Sequence, residues 1–127
     1  MDTTALDTNI AIDLLNGNED ILHRYEKYTS LYLPVTVCGE LLYGALNSNN
    51  SRKNLSKYHG FISNCTILNI NSAIAEQYAA IRKGLKEKGT PIPENDIWIA
   101  ATCMVYEIPL GTNDKHFGNI DGLKLTE

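Results

Sequence analysis

The sequence predicts an α/β fold built on a mostly parallel sheet with helices on both faces. Short apolar runs at 2–6, 31–35, 66–70 and 108–110 alternate with longer segments of helical period. Strands separated by helices make βαβ units, whose right-handed crossovers bring the strand ends to one edge. The composition agrees: 127 residues, 43% hydrophobic and 20% charged, suit one soluble domain over 1–127 with a full core.

Residues 2–6 read as the first strand, although Asp2-Thr3-Thr4 is polar for a central one. Leu6-Asp7-Thr8-Asn9-Ile10 then turns strand into helix. Ile10, Ile12, Leu14 and Leu15 are the apolar positions of that helix, and Asn16-Gly17-Asn18 ends it. A second helix opens at Asn18 or Glu19, with Ile21, Leu22 and Tyr25 on its apolar face. Leu31-Tyr32-Leu33-Pro34-Val35 is a strand whose proline sets it at an edge or confines the sheet to its first residues. Thr36 is suited to cap the helix that follows, which carries Glu40 in about its first turn.

A polar loop at 47–51 leads into a helix at about 51–63, with Leu55, Tyr58, Phe61 and Ile62 on one side. A third strand at 66–70 precedes the longest helix, capped by Asn71 or Ser72 and stopped by Gly89. Its late cluster of Arg82, Lys83, Lys86 and Lys88 suits the negative end of the helix dipole. Pro91-Ile92-Pro93 is a stiff connector into a helix that starts near Asn95-Asp96. A fourth strand, 108–110, leads to Gly111-Thr112-Asn113-Asp114, a helical turn at His116-Phe117 and a last strand at 123–125.

No apolar run reaches the roughly 20 residues of a membrane span, and Met1-Asp2-Thr3-Thr4 lacks the order of a signal peptide. The expectation is a cytoplasmic protein with no membrane partner. Cys38, Cys65 and Cys103, odd in number and without C-x-x-C spacing, read as reduced thiols. A net charge of -4 excludes a protein that grips nucleic acid with its whole surface.

Four acids share one context. Asp7 and Asp114 follow strands, and Asp96 and Glu40 lie near helix starts. Each has a plain reading: Asp7 and Asp114 as caps, Asp96 as a first-turn acid, Glu40 as a solvated helix residue. However, Asp96 shares its helix face with Ile99, Ala100 and Cys103, and Glu40 shares its face with Val37, Leu41 and Gly44. Two carboxylates about 4 Å apart repel by roughly 4 kcal/mol at an effective dielectric near 20. Gathered at one sheet edge, the four therefore need protons or a cation among them. Oxygen donors with few histidines or cysteines nearby select Mg²⁺ or Mn²⁺, with Thr112, Thr8 and Asn9 available to orient ligands or waters. His116 reads as a packing or surface residue, and His23 and His59 carry no signal.

Together these pieces resemble a known family. Leu6-Asp7-Thr8-Asn9-Ile10, Gly39-Glu40-Leu41-Leu42-Tyr43-Gly44-Ala45, Pro91-Ile92-Pro93-Glu94-Asn95-Asp96-Ile97-Trp98-Ile99-Ala100-Ala101, Thr112-Asn113-Asp114-Lys115-His116-Phe117 and Ile120-Asp121-Gly122-Leu123-Lys124-Leu125 follow one another as in PIN-domain ribonucleases of the VapC toxin type, from type II toxin–antitoxin pairs. The resemblance implies a three-layer α/β/α sandwich, one or two Mg²⁺ or Mn²⁺ ions and endonucleolytic cleavage of RNA. It carries acid, metal-holding roles to Asp7, Glu40, Asp96 and Asp114, and a water-positioning or ligand-orienting role to Thr112. It also implies a homodimer and a VapB-type antitoxin that covers the site, with DNA contacted only through that antitoxin.

The chain departs from the family pattern in its polar first strand and in Gly111, where an apolar residue is common. Lys115 and His116 beside the site, and Arg82, Lys83, Lys86 and Lys88, are candidates for the RNA surface. Two alternatives stand beside this reading. One is a non-catalytic module whose acidic pocket only accepts an antitoxin. The other is a haloacid-dehalogenase-like phosphatase, which needs a second acid two residues after Asp7, where this chain has Asn9.

Overall fold

The computed structural model describes residues 2–126. In chain order the elements are β1 (Thr3–Leu6), α1 (Thr8–Leu15), α2 (Glu19–Tyr25), β2 (Ser30–Pro34), α3 (Val35–Leu46), α4 (Ser51–Ser63), β3 (Thr66–Leu68), α5 (Ser72–Lys88), α6 (Glu94–Tyr106) and β4 (Leu110–Gly111). A 3₁₀ turn at Lys115–Asn119 follows. The sheet is parallel throughout, in the order β3-β2-β1-β4. Helices α3 and α4 pack together, as do α5 and α6, and the sheet lies between the helical layers as the sandwich expectation requires. Leu6, Ile10, Leu33, Leu41, Ile74, Ile99, Leu110 and Phe117 are fully buried at its centre. Among the described residues no helix is long and apolar enough to cross a membrane.

Side-chain caps start three helices: Asp7, Asn18 and Asn71 each accept the N–H three residues on. Gly17 and Gly89 stand just past helix ends at φ +72° and +70°, the left-handed region a helix stop uses. Thr36 caps nothing, because α3 starts one residue earlier: Pro34 ends β2 and is itself the cap residue. A proline there gives up an N–H that the first turn leaves unpaired anyway. This also resolves the strand proline. β2 lies inside the sheet, pairing with β1 through Ser30–Tyr32 and with β3 through Tyr32–Pro34. Two further elements are shorter than expected. β3 ends at Leu68, and the segment 123–125 contributes a single parallel bridge, Leu110 to Leu125.

Both departures noted in the sequence have local causes. Thr4 is buried on the central strand, and its hydroxyl has partners in the Ala5 carbonyl (3.0 Å) and the Thr126 hydroxyl (2.6 Å). A polar residue in the middle of the sheet is tolerated because its hydrogen bonds are made there. At Gly111 the cause is steric: a Cβ would lie 2.5 Å from the Tyr25 hydroxyl oxygen and 2.8 Å from its ring. The Tyr25 ring fills the space that an apolar strand residue would otherwise take. Gly111→Ala is therefore expected to cost about 1–3 kcal/mol by overpacking, and Tyr25→Leu should recover much of it. Thermal melts of the two single variants and the double variant check this, and additive losses would refute it.

Candidate active site

β1 and β4 deliver the first two site residues. The pair Leu6–Gly111 ends their shared ladder, so Asp7 and Thr112 leave the sheet side by side at its C-terminal edge, where open α/β folds bind ligands. Asp7 is 5% exposed. Its Oδ1 accepts the Ile10 N–H at 2.9 Å, and its Oδ2 accepts a short hydrogen bond from the Thr112 hydroxyl. Thr112 Oγ1 in turn accepts the Asp114 N–H at 2.9 Å. One hydroxyl thus ties two of the four acids together.

Asp96 is the third residue of α6, whose Ile99, Ala100 and Cys103 are buried as the helical spacing predicts. Its side chain keeps 21% of its exposure at the cleft. Glu40 is the sixth residue of α3, deeper than its first turn. Of its predicted apolar neighbours, Val37 and Leu41 are buried and Gly44 is exposed. The Thr8 hydroxyl donates to Glu40 Oε1 at 2.7 Å. Asp7, Glu40, Asp96 and Asp114 all line one open cleft of about 450 Å³, with Thr8, Asn9, Glu94, Asn95 and Phe117. Within it the carboxylates of Asp96 and Asp114 share a direct partner. Those of Asp7 and Glu40 are each bound to a threonine hydroxyl.

That shared partner is His116, a packing or surface residue by its sequence context alone. Its Nε2 lies 2.8 Å from Asp96 Oδ2 and its Nδ1 2.9 Å from Asp114 Oδ1. Carboxylates accept and do not donate, so between two ionised acids each contact uses a ring N–H. The missed signal was Asp114-Lys115-His116. Asp114 caps its own 3₁₀ turn, which carries the imidazole back over the acid. Arg24, which has no signal in the sequence, also reaches the site loop. Its Nη1 donates to Asn113 Oδ1 at 2.8 Å, placing a guanidinium on the loop that bears the site. Lys88, by contrast, is committed to Asp121 and the Asn119 carbonyl, and Arg82 stands by Glu94 and Tyr78.

Electrostatics follow from this crowding. Burial pushes the Asp7 carboxyl above its ordinary range, against the Thr112 and Ile10 hydrogen bonds, and the charges of Asp96 and Asp114 push the same way. Burial also raises Asp96. His116 opposes the rise, and Glu40 and Asp114 add to it. Behind Asp7 the Cys103 thiol is pushed up to about 12, by burial first and then by the Asp7 charge. Cys38, Cys65 and Cys103 are all free, as expected.

The sequence profile of the PIN domain matches residues 4–123, nearly the whole chain. The chain belongs to the PIN domain family. Among curated relatives, this PIN domain is 31% identical to ribonuclease VapC2 of Rickettsia felis, over 94% of this chain and 93% of that one. It is 32% identical to the tRNA(fMet)-specific endonuclease VapC of Salmonella typhimurium, over 96% and 95%. Among solved structures, the DNA-bound VapBC of Salmonella typhimurium superposes with a TM-score of 0.91 at 30% identity, covering 99% of this chain and 98% of that one. VapBC2 of Rickettsia felis, bound to a promoter DNA fragment, gives 0.89 at 28% identity, over 98% and 97%. The phosphatase alternative falls with these matches.

Proposed function

We propose that this PIN domain is the toxin of a type II toxin–antitoxin pair and acts as a Mg²⁺- or Mn²⁺-dependent endoribonuclease. The observation that carries the reading is the convergence of Asp7, Glu40, Asp96 and Asp114 on one cleft, in a chain about a third identical to proteins named VapC ribonucleases. The VapBC complexes it resembles support a VapB-type antitoxin as partner. A homodimer and a cytoplasmic location belong to the same reading, and DNA is met through the antitoxin alone.

The donor set fits a divalent cation. Among the described residues lining the cleft there are five carboxylates, those of Asp7, Glu40, Glu94, Asp96 and Asp114, and no lysine or arginine. Asp7 and Asp96 are held above their ordinary pKa by burial and by neighbouring acids. A cation offsets that cost, and hard oxygen donors favour Mg²⁺ or Mn²⁺. Asp7, Asp96 and Asp114 would hold it, with Glu40 within the same cleft. When bound, the ion supplies charge for the phosphate oxygens and acidifies a water.

The chain's own residues account for the rest. The Ile10 N–H and Thr112 hydroxyl fix both Asp7 oxygens in direction, so this ligand needs no reorganisation. The Thr8 hydroxyl on Oε1 orients the Glu40 carboxylate, which can accept a proton from an attacking water. Hydrolysis consumes one water per phosphodiester and leaves a phosphate monoester and a hydroxyl. Arg24, bound to Asn113, and Lys115, next to Asp114 in the chain, put positive charge on the loop that bears the site, which suits an unstacked, single-stranded segment of RNA.

The test is cleavage of a structured RNA by the purified protein. Chelation with EDTA is expected to stop it, and Mg²⁺ or Mn²⁺ to restore it. Coexpression of a cognate antitoxin should relieve growth arrest. Cleavage that persists in EDTA would overturn the metal-dependent mechanism.

A further inference from the structure

We infer that His116 is itself a ligand of the cation and makes this centre prefer Mn²⁺ to Mg²⁺; the inference rests on the metal-dependent reading above. A ligand atom from Asp96, from Asp114 and from His116 all lie within 4.8 Å of one another, the one such mixed group among the described residues. The imidazole is wedged between the acids at 2.8 and 2.9 Å. Neighbouring ligands of an octahedral ion with bonds of 2.0–2.1 Å are separated by roughly 2.9 Å. Each N···O contact therefore already has about the length of one edge of such a shell. An ion on the Asp96 edge replaces one N–H···O hydrogen bond, displacing the Nε2 proton to solvent, with little movement of the groups that made it.

The second ring nitrogen completes the argument. A metal-binding histidine nearly always donates its other N–H to a carboxylate or carbonyl, which orients the ring. Here Nδ1 faces Asp114 Oδ1 while Nε2 faces Asp96 Oδ2. The ring is also held in place. Its side chain is 26% exposed, against 84% for His23, and it packs on buried Phe117 with centroids 4.9 Å apart. The 3₁₀ turn that carries both residues is anchored by that Phe117. Carboxylate oxygens serve Mg²⁺ and Mn²⁺ alike, whereas an imidazole nitrogen favours the transition metal. A single histidine bridging two acids of an otherwise all-oxygen cleft is thus a selectivity device.

Pulsed electron paramagnetic resonance of the Mn²⁺-loaded full chain tests this directly, because a bound imidazole gives a ¹⁴N coupling. The chain has three histidines, so a signal lost in His116→Asn assigns the ligand. Calorimetry with Mn²⁺ and Mg²⁺ supplies the second readout. Wild type is expected to bind Mn²⁺ about tenfold or more tightly than Mg²⁺. His116→Asn should narrow that ratio to within about threefold, mainly by weakening Mn²⁺, and a melt in EDTA confirms that the variant is folded. Mn²⁺ binding without ¹⁴N coupling, or a parallel loss of both metals in the variant, overturns the ligand role and leaves the nuclease reading intact. Failure of both metals to bind wild type overturns both.

Discussion

Asp7→Asn is expected to abolish RNA cleavage, by about 10³-fold or more, while raising the melting temperature of the metal-free protein. The activity loss equals roughly 4 kcal/mol of transition-state stabilisation, within reach of a lost cation ligand. The gain in stability follows from the sign of the pKa shift. The folded protein holds Asp7 above the ordinary carboxylate value of 3.8. A raised pKa contributes stability that is complete below the unfolded value and is lost as pH rises through the folded one. At neutral pH the ionised carboxylate is therefore an unfavourable charge. Asparagine removes it and keeps the cap, since its amide oxygen can still accept the Ile10 N–H.

The variant should melt higher than wild type in EDTA at pH 7, and the gap should narrow toward pH 4 as wild-type Asp7 takes up a proton. Saturating Mn²⁺ should reverse the order, because a ligand at 100 times its Kd stabilises wild type by about 2.7 kcal/mol. Paired melts at the two pH values, with and without Mn²⁺, check all three statements. A lower melting temperature for the variant at pH 7 in EDTA would refute the account of Asp7.

Thr112→Val carries the second large effect. Valine keeps the shape and deletes one hydroxyl, which donates to Asp7 and accepts from the Asp114 N–H. Losing it leaves two buried or half-buried polar groups unpaired, at about 1–3 kcal/mol, and frees Asp7 Oδ2 to turn away from its productive direction. A loss of about 10²-fold in cleavage is expected, comparable to the removal of one preorganised hydrogen-bond donor. Thr112→Ser restores the hydroxyl and should recover most of both. A valine variant as active as wild type would mean that Thr112 orients nothing.

Much of this protein could be read from its residues in order. Apolar runs broken by capping residues and glycines were enough for four of the strands and for all six α-helices, because these are local choices of backbone and side chain. The capping residues Asn18 and Asn71 were legible for the same reason. The acids at strand ends and helix starts were legible as a set, since parallel crossovers send such positions to one edge. Their convergence on the cleft agrees with that reasoning.

Other features depended on the tertiary structure, and each involves residues far apart in the chain. Pro34 sits inside the sheet because the two flanking ladders use different parts of β2. Gly111 is required by the ring of Tyr25, and Thr4 is accommodated by the hydroxyl of Thr126. His116 becomes part of the site only when its turn folds against α6 and sets the imidazole between Asp96 and Asp114. Sequence by itself determined the order of elements and the four acids that share the cleft, because propensity and periodicity act within a few residues. Packing alone decided which partners those residues meet, because side-chain contacts between distant segments exist only once the sheet has brought them together.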